Sequence, residues 1–98
     1  MSDLYLTARL KVKSDKIDEL KQAALAIVAD SRSESGCVSY NVHQSVEDEM
    51  VFVWRECWKS KQDLDEHFEK DYVKNFFAKV DELAAEPPQI ILTNLISE

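Results

Sequence analysis

An α+β fold with one antiparallel sheet is predicted by three features of the sequence. Three short stretches alternate apolar and polar residues with the period of a strand; the segments between them carry apolar residues at helical spacing; and a proline pair stops the second helical region just before a last apolar run. The first strand is LYLTARLKV, residues 4 to 12, with Leu4, Leu6, Ala8, Leu10 and Val12 on one side and Tyr5, Thr7, Arg9 and Lys11 on the other. Ser14 and Asp15 are cap-type residues. After them Ile17, Leu20, Ala24, Ile27 and Val28 recur at helical spacing, predicting a helix from about Asp15 to Ser33. Gly36, the only glycine, marks its exit. Residues 37 to 45 and 50 to 58, joined by the polar turn VEDE, form a predicted hairpin.

Ser60 followed by Asp63 has the spacing of a capping box. Behind it Leu64, Phe68, Phe76, Phe77, Val80 and Leu83 form an apolar stripe whose phase shifts near Lys70 and Asp71, so two helices are expected there. Pro87 and Pro88 end the helical region, and QIILTNLI is the closing strand. The order strand, helix, strand, strand, helix, strand is that of a ferredoxin-like split βαβ sandwich, with both helical layers on one face of the sheet.

Ninety-eight residues fit a single domain, residues 1 to 98, and a 45% hydrophobic content is enough for a core. The formal charge of -7, from 19 acidic and 12 basic residues, argues against nucleic acid and anionic membrane surfaces as partners. Cys37 and Cys57 lack a CxxC spacing and are expected as free thiols in a reducing compartment. The N-terminus lacks the pattern of a secretory signal, and no segment has transmembrane length; the expected location is the cytoplasm. Two scattered histidines, with no glycine-rich phosphate loop or dinucleotide fingerprint, point to no metal and no bound cofactor.

Strict alternation sorts side chains between the helix-covered face and an open face. On the third strand Val51, Val53 and Cys57 are assigned to the helices, which leaves Phe52, Trp54, Glu56 and Trp58 on the open face. On the second strand Val38, Tyr40 and Val42 are assigned to the core, with Cys37, Ser39, Asn41 and His43 opposite. So aromatic an open face predicts a homodimer in which two sheets pack face to face and enclose Glu56 in a largely apolar chamber.

The segments SRSESGCVSYNVH, FVWRECW and LDEHF together resemble the antibiotic biosynthesis monooxygenase (ABM) family of dimeric α+β barrels. Its members carry an Arg-x-Glu-x-Gly-Cys-x-x-Tyr-like segment, then aromatic-x-x-x-Glu-x-Trp, then Leu-x-x-His. The resemblance implies a homodimer with one cavity per subunit. It also implies one of several activities: oxidation of quinol-type or polycyclic aromatic substrates by dioxygen without metal or flavin, isomerisation of a phosphorylated sugar derivative, or haem degradation. The family's Glu and Trp match Glu56 and Trp58, and its helical histidine matches His67. A second histidine five residues on is Tyr72 here, and an acidic residue on strand two is Asn41. The haem-degrading branch resembles this chain less, since Thr7 or Ala8 and His67 stand where it has Asn and Trp.

Glu56 in a dry cavity would be a proton acceptor near neutral pH, against the alternative of an ion pair with Arg9 or Arg55. His67 suits a general base for a phenolic hydroxyl, against the alternative of an ordinary surface or helix-packing histidine. Trp54, Trp58, Phe52 and Tyr5 would flank a flat ligand or glue the dimer, and Asn41, Tyr72 and Arg9 would hydrogen-bond it. Arg32 is expected to pair with Glu34 or to cap a helix end. The predicted function is oxidation of a small aromatic or quinol-type molecule by dioxygen, with carbonyl isomerisation or non-catalytic ligand binding as alternatives.

Overall fold

A computed structural model describes residues 3–97. Its elements follow the order β1 (Leu4–Lys11), α1 (Ile17–Ala26), α2 (Val28–Ser33), β2 (Cys37–Gln44), β3 (Val51–Trp58), α3 (Lys61–Phe68), α4 (Asp71–Leu83) and β4 (Gln89–Thr93). The strands form one antiparallel sheet in the order β2-β3-β1-β4, the ferredoxin-like arrangement expected from the element order. The predicted first helix is divided at Ile27, where α1 gives way to α2. The break predicted near Lys70 lies between α3 and α4. Ser60 caps α3 as its spacing predicts: its Oγ accepts from the Asp63 backbone N–H at 3.1 Å and donates to Asp63 Oδ2 at 2.8 Å.

The core lies between the sheet and the helices. Leu6, Leu10, Phe52, Trp54 and Trp58 from the strands meet Leu20, Leu64, Phe76, Val80 and Leu83 from α1, α3 and α4. This corrects the face assignment of β3. Leu6 stands opposite Glu56, Ala8 opposite Trp54 and Leu10 opposite Phe52, so those β3 residues share the helix-covered face with the apolar side of β1. Val53, Arg55 and Cys57 face the other way, beside Arg9, Thr7 and Tyr5. The physical reason is volume. Helices pack about 10 Å from a sheet, and Trp and Phe side chains fill that layer where valines and a cysteine would leave it hollow.

On β2 a register shift between Cys37 and Ser39 turns Cys37 toward Trp58 and leaves Val38 half exposed, contrary to the simple alternation. Tyr40 and Val42 keep the predicted helix-facing orientation, and Asn41 and His43 the predicted open one. Every residue of β4 is exposed, including Ile90, Ile91 and Leu92, because this edge strand has its open side uncovered and little helix above it.

Candidate active site

A cavity of about 50 Å³ lies inside the chain, between the sheet and the helices. Glu56 and His67 both line it, beside Tyr40 and Trp54 on the sheet side and Phe76 on α4. Its rim reaches Arg9, Pro88 and Ile90, where the β1–β4 edge meets solvent. Glu56 is therefore enclosed by its own helices. The expectation that a second sheet encloses it is overturned by the register of β1 and β3.

Glu56 is 7% exposed, and Trp58, two residues on along the same face, donates from Nε1 to Oε1 at 2.9 Å. Neither Arg9 nor Arg55 pairs with it: Arg9 reaches Glu86 at 3.0 Å, and Arg55 projects from the open face. Burial pushes the Glu56 carboxyl up to about 7; the Trp58 hydrogen bond works against that rise and the neighbouring Glu34 adds to it. Near neutral pH the group can thus hold or release a proton into the cavity.

His67 is 2% exposed, which removes the plain surface histidine from consideration. Its ring lies 4.5 Å from that of Trp58 and 5.9 Å from that of Tyr40, centroid to centroid. Nδ1 sits 2.7 Å from Glu34 Oε2, and the Tyr72 hydroxyl donates to the same oxygen. Burial, and then the bond to Glu34, raise the Tyr72 phenol above its ordinary value, so it remains a donor. Glu34 comes from the loop between α2 and β2. Gly36 holds that loop against α3: a Cβ there would collide with the Asp63 side chain, and its carbonyl accepts from the Lys59 N–H at 2.9 Å. Gly36 has no positive φ, so close approach and not backbone freedom is what requires glycine.

The other predicted site residues are dispersed. Phe52 is buried under α1, outside the cavity. Trp58 backs the cavity by holding Glu56 and His67. Tyr72 acts on Glu34. Tyr5 and Asn41 stand on the open face in a groove shared with Thr7, Arg55 and the C-terminal segment. Asn41 Oδ1 accepts from Arg32 Nη2 at 3.0 Å, while Arg32 Nε donates to the Tyr40 carbonyl at 3.0 Å; Arg32 thus ties α2 to β2 and does not pair with Glu34. Tyr40 lines the cavity and Glu34 holds His67, although from sequence alone Glu34 is an ion-pair partner and Tyr40 a core residue. The one signal for Glu34 was its place in the Arg-x-Glu-x-Gly-Cys segment.

Both cysteines are free, and burial raises both thiols, Cys37 to about 11. Among the described residues no group of three or more His, Cys, Asp or Glu side chains could hold a metal ion, and no helix is long and apolar enough to cross a membrane.

The four-stranded sheet with its helices on one face has the architecture of solved structures described as antibiotic biosynthesis monooxygenases. The family model matches residues 3–79, and the chain belongs to that family. It is 34% identical over 92 residues to YcnE of Bacillus subtilis, named "Putative monooxygenase", covering 94% of this chain and 97% of that protein. It is 32% identical over 87 residues to the uncharacterized protein sll1783 of Synechocystis, covering 89% of this chain but only 59% of that longer protein. The solved structure of Rv0793 from Mycobacterium tuberculosis superposes with a TM-score of 0.93 at 28% identity, over 99% of this chain and 98% of that one.

Proposed function

We propose that the protein is a cofactor-independent monooxygenase that oxidises a small electron-rich aromatic or quinol-type substrate with dioxygen. The observation that carries this reading is the convergence of two buried acid–base groups, Glu56 and His67, on one aromatic-lined cavity. His67 takes the proton of a phenolic hydroxyl through the ring nitrogen that Glu34 does not occupy. The resulting phenolate is electron-rich enough to reduce dioxygen itself, so the chain supplies a base, a dry enclosure and a proton store at Glu56. For a methylene flanked by aromatic rings the balance closes without another reductant. One oxygen atom becomes the new carbonyl, the other leaves as water with the two methylene hydrogens, and the substrate carbon provides all four electrons.

The working unit in this proposal is a homodimer in the cytoplasm. Ile90, Ile91, Leu92, Leu95 and Ile96 are exposed along β4 and beyond it, an apolar strip that a second copy would cover. The deciding experiment is oxygen consumption with a panel of hydroquinones and anthrones, using protein stripped of metal and flavin. Turnover that disappears in His67→Ala supports the reading, and consumption no faster than in buffer removes it.

A second reading, isomerisation of a small carbonyl compound through an enediol, is favoured by the same pair, since one group can take a proton and the other return it at the neighbouring carbon. Conversion under strictly anaerobic conditions separates it from the first.

A further inference from the structure

We propose that Glu34, held in place by Tyr72, is a positioning residue that fixes His67 in the Nδ1–H tautomer and leaves its Nε2 as the acceptor available to the cavity. The proposal deepens the base role given to His67 above and rests on that reading only for its catalytic consequence.

Three elements converge on one carboxyl oxygen. Glu34 lies in the α2–β2 loop, His67 in the last turn of α3 and Tyr72 in the first turn of α4, so residues 33 and 38 positions from Glu34 meet it. Both Tyr72 Oη and His67 Nδ1 are directed at Oε2. The phenol can only donate there while it keeps its proton, and burial keeps it protonated. An oxygen that already accepts from a phenol is suited to accept again and poorly suited to donate, so the proton in the 2.7 Å contact belongs to Nδ1. A neutral imidazole with hydrogen on Nδ1 has its lone pair on Nε2. His67 lines the cavity, and among the described residues Glu34, on Nδ1, is the one hydrogen-bond partner of its ring. The nitrogen not spoken for by Glu34 is thus the one that a bound hydroxyl would meet.

The surroundings lock the ring in this orientation. Trp58 packs against it at 4.5 Å, and Tyr40 and Phe68 stand at 5.9 and 5.7 Å. A 180° ring flip would bring a carbon against Glu34 and leave the buried oxygen short of a donor.

The test is long-range ¹H–¹⁵N NMR of the imidazole rings. The chain has two histidines, so His43→Gln leaves His67 as the single ring observed. In its neutral form the wild-type ring is expected in the Nδ1–H state. Glu34→Ala is expected to shift it toward the Nε2–H state that free histidine prefers, and Glu34→Gln, whose amide oxygen can still accept, to restore Nδ1–H. A wild-type ring found with hydrogen on Nε2, or a tautomer unchanged in Glu34→Ala, overturns the proposal. Should the alanine variant not fold, the wild-type and glutamine spectra decide. None of these spectra needs a substrate, so a failure of the oxygenase reading leaves the tautomer result standing. Where turnover is found, Glu34→Ala should lower kcat at least tenfold with KM little changed, and Glu34→Gln should recover much of it.

Discussion

The indole of Trp58 donates to the carboxyl of Glu56, 2.9 Å away and two residues back along the same strand face. This is the one side-chain hydrogen bond to Glu56 among the described residues, and it holds a carboxyl group in a layer otherwise made of aromatic and aliphatic side chains. Such an arrangement tolerates either protonation state but favours the neutral one.

Stability should therefore fall as pH rises through neutrality. Glu56 titrates near 7 in the folded chain against an ordinary value of 4.5, so between those limits the folded state binds more protons than the unfolded state. The contribution is fully present below about pH 4.5 and is lost by the time pH has passed the folded value of about 7. Glu56→Gln removes the titration. Relative to wild type, the glutamine variant should gain roughly 2–3 kcal/mol on going from pH 5 to pH 8. Urea unfolding midpoints of both proteins at the two pH values measure this, and parallel pH dependences would show that Glu56 titrates normally.

Gly36→Ala should destabilise the fold by about 1–3 kcal/mol, since the new methyl group meets the short Asp63 side chain that Ser60 holds at the start of α3. Thermal unfolding reads the loss directly. The same substitution should broaden the His67 ring signals, because the displaced loop is the one that carries Glu34.

Ile91→Asp should leave the folded chain monomeric at concentrations where the wild type sediments as a dimer. Ile91 is 57% exposed and stands opposite Thr7 on the open side of the β4 edge, so its replacement disturbs no core contact. Sedimentation velocity on both proteins checks the outcome; a wild-type monomer at 11.3 kDa would remove the dimer from the proposed function.

Much of the architecture was legible because it rests on local signals. Ser60 and Asp63 announce the start of α3, the phase shift at Lys70 announces its separation from α4, and Pro87 and Pro88 announce the last strand. The orientation of β3 was not, because alternation tells which residues share a face and never which face it is. Phe52 and Trp54 fit either side by pattern, and only the space beneath the helices decides between them. Glu56 and His67 were identified as chemistry-bearing groups, yet the chamber they share was placed between protomers instead of inside one. Alternation put Asn41 on the open face beside Glu56; Asn41 lies there, and Glu56 is the one that lies on the other side. Glu34 reads in the sequence only as an ion-pair partner for Arg32, because its actual partners lie more than 30 residues away and follow no periodicity.

The small volume of the internal cavity has its own consequence. An engineered protein cavity that accepts benzene measures roughly 150 Å³, whereas the space beside Glu56 is about 50 Å³. Dioxygen and a few water molecules fit as the chain stands, whereas the aromatic substrate proposed above needs the lining side chains to move outward. Discrimination among guests then depends on how far each one forces that wall outward, so shape and thickness govern entry before any hydrogen bond is made.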